Sequence, residues 1–263
     1  MVRKLIFCLW LCLISATAQA ALSIDNATSN ANSPVGAVMT GTITTSSTND
    51  LVCVITKWLS TSGTVLSITD APANLSWAKR AGVVSSVGGG FNNDYDIEEW
   101  CAFSSAALTS TDTVTVTATS TIVTNRETIF AVHGVATGAN PTCYYDTNAS
   151  IPSATWQSAA TSPISATVST TNSTDLIVAY TGSTASSYTP PTGYTALVSG
   201  GTGGANSAYY KVLSSPLSSS SVSFAYTTGN GGQDLLIDAF QDGSTACGGG
   251  PTPAPTHHRG IFG

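Results

Sequence analysis

The chain is short of charge. Asp, Glu, Lys and Arg make up 8% of its 263 residues, against roughly 25% in ordinary domains. Acidic residues number 14 and basic residues 8; without Arg3 and Lys4, which lie in the leader described below, the count is 14 against 6, a balance of −8. Nucleic-acid recognition needs clustered Lys and Arg, so a nucleic-acid partner is excluded.

Several motifs of other protein classes are missing. Beyond the leader, no run is long and apolar enough to cross a bilayer, so we expect no membrane span. The cysteines form no CxxC motif and no Cys/His cluster, which argues against zinc. The predicted folded body contains one histidine, His133, and no G-x-S-x-G motif, which argues against a serine hydrolase.

The first twenty residues form a leader. A basic start at residues 1–4 precedes an apolar run at 5–14, and Ala18-Gln-Ala20 is a small-x-small cleavage site. This pattern predicts a signal peptide over residues 1–20, removed before Ala21. We therefore expect a secreted protein, extracellular or periplasmic.

The chain matches itself. Residues 41–56 align without a gap on 166–181, and Asp-Leu falls on Asp-Leu. Further matches follow in the same order: Trp77 with Tyr194, Trp100 with Tyr210, Val114 with Val222, and 128–132 with 235–239. Ordered self-similarity predicts a duplicated unit, with halves at about 36–136 and 162–241.

Strand patterns fill both halves, and no segment has a helical period. In residues 113–117, valines alternate with threonines, as in a strand with one buried face. About thirteen short strands separated by turn residues predict an all-β sandwich: 38–44, 51–57, 64–68, 76–84, 95–103, 113–119, 128–133, 164–170, 176–181, 194–198, 208–213, 221–226 and 235–240.

We predict one sandwich domain over residues 21–247. Each half alone would bury too little surface to be comfortably stable, so the two are expected to share a core. Residues 248–263 begin with glycines and prolines and form a predicted linker and tail.

Several strand motifs resemble those of exported bacterial and phage-tail β-sandwich modules. They are Asp50-Leu-Val-Cys-Val54, Glu99-Trp-Cys-Ala102, Asp112-Thr-Val-Thr-Val116 and Ala131-Val-His-Gly-Val135. The resemblance implies a jelly-roll-like sandwich used for display, adhesion or binding. It supplies no catalytic residues.

Four cysteines remain after the predicted cleavage, and four cysteines allow three pairings. Cys143 and Cys247 lie beside loops, where geometry adapts, and we predict a disulfide between them. Cys53 and Cys101 lie inside strand patterns; they either pair with each other or remain core thiols.

Aromatic side chains are the best candidates for a binding surface. Trp77 and Trp100 have aromatic counterparts in the repeat, so we assign them to the core. Four others have no such counterpart or lie in the join between the halves, and these predict an exposed binding surface: Trp58, Tyr144, Tyr145 and Trp156.

An acidic stretch follows Gly88-Gly-Gly90. Asp94, Asp96 and Glu98 would lie on one side of a strand, which suggests a calcium site as the one candidate cofactor; the alternative is a solvated loop. Glycoside hydrolysis needs two facing carboxyl groups, so Glu98 or Glu99 would need a distant partner such as Asp146 or Asp238.

These features predict a secreted, non-catalytic β-sandwich for binding, adhesion or surface display, with a glycan or a surface protein as ligand. Two alternatives remain open. One is a glycan-active enzyme on a jelly-roll fold, because a fold does not determine an activity. The other is a structural component of a phage virion or tail.

Overall fold

The computed structural model describes residues 20–30, 36–60, 65–85, 94–109, 111–122, 124–136, 141–157, 162–183, 188–198, 206–226 and 233–243. Residues 1–19 of the predicted leader, Cys247 and the tail at 248–263 lie outside these ranges.

The described part of the chain is almost entirely antiparallel β-structure, with a single short 3-10 helix at Pro141–Tyr144. The first half contains eight strands: β1 (Ser23–Asn30), β2 (Gly36–Ile43), β3 (Asp50–Ser60), β4 (Val65–Ala71), β5 (Ala78–Ser85), β6 (Asp94–Ser104), β7 (Asp112–Ile122) and β8 (Thr124–His133). The second half also contains eight: β9 (Ser153–Gln157), β10 (Ile164–Val168), β11 (Leu176–Ser183), β12 (Tyr188–Thr189), β13 (Thr195–Ala196), β14 (Asn206–Val212), β15 (Ser220–Tyr226) and β16 (Gln233–Phe240).

The strands form four sheets. In the first half a five-stranded sheet, β1-β8-β3-β6-β5, is covered by a three-stranded sheet, β2-β7-β4. In the second half the sheets are β9-β16-β11-β14-β13 and β10-β15-β12. The nested pairs β1 with β8, β2 with β7 and β3 with β6 make the first half a jelly-roll sandwich.

The second half repeats this topology strand for strand. Each strand βn of the first half has its counterpart in βn+8, and the order within both sheets is the same. The predicted internal duplication and the all-β jelly-roll fold are therefore confirmed.

Three hydrophobic cores hold the layers together. One lies inside the first sandwich, between β2, β4 and β7 and the five-stranded sheet, and another occupies the same place in the second sandwich. The third lies between the two five-stranded sheets, where Phe130 of β8 meets Tyr180 and Phe240. The expected shared core exists, but it is one of three.

Strands covered on both faces are buried throughout. Every residue of β16 is buried, and so is β3 from Leu51 to Lys57, because each strand has one core on either side. In β7, by contrast, Val114 and Val116 face the core while the threonines between them are half-buried. This is the predicted alternation of a strand with one covered face.

All thirteen predicted strand regions are present in the structure, and three further strands were missed. These are β1, β9 and β12. β1 and β9 are equivalent edge strands with polar sequences, Ser23–Asn30 and Ser153–Gln157, whose half-buried faces give no apolar alternation. β12 spans only two residues.

Two of the sequence matches are one residue out of register. Cys53 pairs with Cys101 and Val178 pairs with Tyr210, so Tyr210 is the counterpart of Cys101, not of Trp100. In β16 the counterpart of Phe130 is Asp238, where the sequence alignment placed Ile237. A shift by one residue moves a side chain to the opposite face of a sheet.

One predicted disulfide pairing is present. Cys53 and Cys101 are directly opposite on β3 and β6 and form a disulfide within the central core. This bond excludes the two connectivities that separate them. The prediction of a Cys143–Cys247 disulfide stays a prediction, because Cys247 lies outside the described residues.

No helix in the described ranges has the length and apolar character needed to cross a membrane.

Candidate functional site

Of the four aromatic residues predicted as a binding surface, two pack against the protein interior. Tyr144 is buried and Tyr145 is half-buried, both against the central core, so their predicted exposure is wrong. Trp156 on β9 is 44% exposed. Trp58 belongs to β3, but its side chain lies outside what the structure describes.

The join between the halves explains why the two tyrosines are covered. Its backbone is bonded to the end of β16, through Asp146 N–H to Ala239 C=O and Gln241 N–H to Tyr144 C=O. This brings Tyr144 into a stack with Phe103, with ring centroids 5.2 Å apart. The join was predicted to be exposed, and both tyrosine rings were therefore predicted to lie on the surface.

Of the three proposed calcium ligands, the structure describes the side chain of Glu98 alone. Glu98 is buried, and its carboxylate pairs with Lys79 at 3.0 Å and accepts a hydrogen bond from Trp100 Nε1 at 2.7 Å. These two donors bind both oxygens of the carboxylate, and the prediction of a calcium site stays a prediction. The side chains of Asp94 and Asp96 lie outside the described part of the chain.

Most acidic side chains are inside the protein. At least eleven of the fourteen are buried, although Asp and Glu are almost never fully buried without a partner. They are Asp50, Asp70, Glu98, Glu99, Asp112, Glu127, Asp146, Asp175, Asp234, Asp238 and Asp242. The sequence pattern did not indicate this burial, because no motif is common to all of these residues, although Asp50 and Asp175 share the Asp-Leu motif of the repeat.

One polar cluster crosses the central interface. Arg80 of β5 holds Asp238 of β16 through two hydrogen bonds, Nε–Oδ2 at 2.8 Å and Nη2–Oδ1 at 3.1 Å. The guanidinium also lies 4.0 Å from the centre of the Tyr145 ring. The carboxyl of Glu99 and the hydroxyl of Tyr180 complete the cluster.

This cluster brings together Glu99 and Asp238, one of the carboxyl pairs considered for glycoside hydrolysis. Burial, followed by the charge of Asp238, raises the pKa of Glu99 well above its usual range. Burial also raises the pKa of Asp238, while Arg80 opposes the shift. Neither carboxyl has exposed surface, so a sugar substrate cannot contact this pair in the folded protein.

A buried lysine lies at the same interface. The alkyl stem of Lys57 runs across Gly182 of the second half, where a Cβ would lie 2.6 Å from Lys57 Cδ. Burial lowers the pKa of Lys57 to about 7, although the charge of Asp234 acts in the opposite direction.

Both halves contain the same aspartate pair at the turn before the third strand. Asp25 accepts hydrogen bonds from Ser46 and Ser47, and Asp146 accepts them from Thr171 and Asn172. The second member of each pair is fully buried: Asp50 is the first residue of β3, and Asp175 immediately precedes β11. Burial raises the pKa of Asp50 to about 6 and of Asp175 to about 8.

His133 belongs to the first of these turns. Its Nδ1 lies 2.8 Å from Asp50 Oδ1. The same position in the second half is Gln241, whose side chain bonds Asn172 and the Cys143 carbonyl. The repeated geometry assigns His133 to the structure of the turn.

One accessible feature with the dimensions of a ligand site is a cleft of about 500 Å³ in the second sandwich. Ligand pockets are typically 300–1,000 Å³. One wall is β15, from Ser220 to Ser223, and the other contains Pro190, Pro191, Tyr194 and Lys211. Sequence analysis did not identify these residues as a site; it assigned 221–226 to a strand and Tyr194 to a core position equivalent to Trp77.

Charge around the cleft is unusual. Lys211 is the only Lys or Arg between residues 137 and 247, and all five described acidic residues of the second half are buried. In the described ranges Lys211 forms no ion pair. Burial raises the pKa of Tyr194 to about 12, so its hydroxyl is uncharged near pH 7 and the side chain adds no charge to the cleft.

No family model, no curated protein and no solved structure matches this chain.

Proposed function

We propose that this protein is an exported, non-catalytic double β-sandwich that binds a protein partner at the cleft of its second half. The observation that carries the proposal is a difference between two otherwise equivalent sandwiches. In the first, β4 pairs with β7 over its whole length; in the second, β12 pairs with β15 at only Tyr188 and Thr189. The cleft lies beside the uncovered part of β15.

A protein ligand fits this cleft better than a glycan does. An uncovered strand edge presents a row of backbone N–H and C=O groups, which is what another polypeptide pairs with. Sugar-binding surfaces use exposed aromatic rings, and two of the four aromatic residues predicted for that role, Tyr144 and Tyr145, pack against the central core.

A non-catalytic role is supported by where the titratable groups lie. The carboxyl pair best placed for acid–base chemistry, Glu99 and Asp238, is sealed between the sheets. The groups lining the cleft are hydroxyls, apolar side chains, proline rings, one tyrosine and one lysine, without a described carboxylate.

The test is a binding panel with a variant that blocks the cleft. Purified protein is immobilised and exposed to extended peptides, folded surface proteins and polysaccharides, with release of reducing sugar measured in parallel. Ser221→Trp places a large ring on the exposed β15 wall. Ser165→Trp, on the neighbouring strand β10 but outside the cleft, is the matched control.

We expect peptide or protein ligands to bind the native protein and Ser165→Trp, and to be lost from Ser221→Trp. Release of reducing sugar would favour the enzymatic alternative. Attachment that Ser221→Trp leaves unchanged would show that the cleft is not the binding site.

A further inference from the structure

The free edge of β15 is defined by its register. On one side β15 pairs with β10 from Ser220 to Phe224. On the other side, among the described residues, only Tyr226 and Ala225 are paired, with the two residues of β12. Within the described ranges, the edge from Ser221 to Phe224 has no strand paired to it on the side of the cleft.

The first sandwich shows what fills the equivalent place. Val114 of β7 is the counterpart of Val222, because Gly41 pairs with the former as Ala166 pairs with the latter. β4 lies beside this part of β7. The β7 partners of its residues Ile68, Thr69, Asp70 and Ala71 are, in that order, Val116, Thr115, Val114 and Thr113. Those four partners correspond to Phe224, Ser223, Val222 and Ser221, the open part of β15.

The sequence explains why the second half leaves this place open. Thr189 is followed at once by Pro190 and Pro191. Proline has no N–H to donate to a strand ladder, so two in succession end β12. In the first half the strand meets its first proline, Pro72, only after Ala71 has paired.

The one charged side chain of the cleft lies beside Tyr194, the counterpart of the tryptophan that binds the first half's own acid. Asp70 faces inward and accepts hydrogen bonds from Trp77 Nε1 at 2.7 Å and Leu75 N–H at 2.9 Å. Tyr194 is the counterpart of Trp77, and Lys211 that of Ala102. Lys211 Nζ lies near the Gly193 turn, 3.7 Å from where a Cβ would be.

We infer that the cleft binds an extended peptide that adds a strand to β15, with an inward acidic side chain at the position of Asp70 paired to Lys211. Main-chain hydrogen bonds supply affinity in such strand addition, and pockets for alternate side chains supply selectivity. The preferred segment resembles β4 itself: an apolar residue, any residue, then Asp or Glu. This inference rests on the proposed function and specifies its ligand.

The test uses a labelled peptide with the β4 sequence, Val-Leu-Ser-Ile-Thr-Asp-Ala, on the full-length protein. A second peptide carries Asn in place of Asp, and a third has the same composition in scrambled order. Each is titrated against native protein, Lys211→Gln and Ser221→Trp. Hydrogen exchange of the β15 amides is followed with and without peptide.

We expect the Asp peptide to bind about tenfold more tightly than the Asn peptide, because a charge-assisted hydrogen bond is about twice as strong as a neutral one. In Lys211→Gln the ratio should fall to about twofold or less, which a double-mutant cycle isolates from general weakening. Among residues 221–224, exchange should slow on peptide binding at the amides that point away from β10, since those facing β10 are already hydrogen-bonded.

Other outcomes would overturn the inference in separable ways. Equal binding of the scrambled peptide, or an Asp preference that persists in Lys211→Gln, would exclude the proposed pairing. Cleft-dependent binding of a polysaccharide or of a second copy of the chain, without binding of the β4 peptide, would exclude strand addition while leaving a binding role. Attachment unaffected by Ser221→Trp would remove both proposals.

Discussion

Asp175 shows how a single carboxyl group is accommodated inside this protein. It has no exposed surface, and the nearest acidic group is Asp146. Burial raises its pKa to about 8, and the neighbouring Asp146 adds to the shift, so the carboxyl is neutral near pH 7. Asp146 behaves in the opposite way: burial would raise its pKa, but hydrogen bonds, first from Asp175 and then from backbone N–H groups, lower it overall.

We therefore predict that Asp175→Asn is tolerated and Asp146→Asn is not. An amide reproduces the neutral form of Asp175, so this variant should match or exceed native stability above pH 8, where native Asp175 must ionise. Asp146→Asn replaces two acceptor oxygens with one, leaving buried donors without partners, at about 1–3 kcal/mol. Thermal unfolding at pH 6 and pH 8.5 checks both; equal destabilisation by the two variants would contradict the assignment.

Register is the residue-scale information that the sequence could not provide. The repeat was recognisable because β-branched and small residues recur in the same order, but matching alone cannot fix a strand to within one residue. The alignment of Trp100 with Tyr210 placed two residues that face different cores in one position. Polar residues buried by tertiary packing, such as Glu99 and Asp238, were hidden for the same reason: their environment depends on which face they occupy.

At the scale of strands, those that are buried on both faces, or over one whole face, could be predicted from the sequence. β3, β11 and β16 have continuous apolar runs, and β7 alternates, so each was predicted. The edge strands β1 and β9 have neither pattern and were missed. The cleft was not predicted because it arises where β12 ends early. Only the comparison with β4 shows which strand pairing is missing beside β15.

The Arg80–Asp238 pair joins strands of different halves, and we predict that it is sensitive to removal of one partner. Arg80→Leu should destabilise by about 3–5 kcal/mol, because it leaves a buried carboxyl without its cation. The double variant Arg80→Leu with Asp238→Leu should cost less than Arg80→Leu alone. The counterpart of Asp238 in the first half is Phe130, which shows that an apolar side chain suits this position of the fold.

Chemical denaturation of the two single variants and the double variant measures this coupling. Additive losses would mean that Arg80 and Asp238 contribute independently, which the bidentate geometry contradicts. Lys79→Gln is a useful comparison because Lys79 is more exposed than Arg80 and pairs with Glu98 within the first half. Lys79→Gln should lower the free energy of unfolding by less than Arg80→Leu does.

On the scale of the whole molecule, the central core decides how the halves unfold. Each sandwich has its own core, but Leu51, Phe130 and Phe240 belong to the layer between the five-stranded sheets. Separating the halves would expose this layer together with Arg80 and Asp238. We predict that residues 21–247 unfold in one cooperative transition.

Calorimetry and limited proteolysis test this prediction together. The calorimetric and van't Hoff enthalpies should agree, as in a two-state transition, and protease should remove the tail after residue 247 before cutting the join. Two stable fragments, near residues 21–137 and 155–247, would instead show that the sandwiches are independent domains.

The buried carboxyl groups should make the folded protein more stable at acidic pH than at neutral pH. The folded pKa of Asp50 is about 6, and those of Asp175 and Glu127 are each about 8, well above the usual values of 3.8 for Asp and 4.5 for Glu. Asp50 faces Asp25 and His133, and Asp175 faces Asp146. Burial alone raises the pKa of Glu127. Thr56 lies between Glu127 and the Lys79–Glu98 ion pair on the same face of the sheet.

A group with a raised folded pKa contributes stability that is complete below the unfolded pKa and is lost as pH rises through the folded value. The three carboxyl groups therefore lower the free energy of unfolding as pH rises from 5 to 7. Lys57, whose folded pKa is lowered to about 7, acts with the opposite sign only above that value. We predict a thermal midpoint that is higher at pH 5 than at pH 7, and a weaker dependence from pH 7 to 8.

Thermal unfolding at constant ionic strength in steps from pH 4.5 to 8 measures the effect. Glu127→Gln is the matched variant, because its side chain is neutral at every pH and has the volume of the acid that it replaces. It should remove part of the fall between pH 5 and 7 while changing the midpoint little at pH 5. A midpoint that rises from pH 5 to 7 would mean that these carboxyl groups are ionised in the folded protein, and the assignment of neutral buried acids would be wrong.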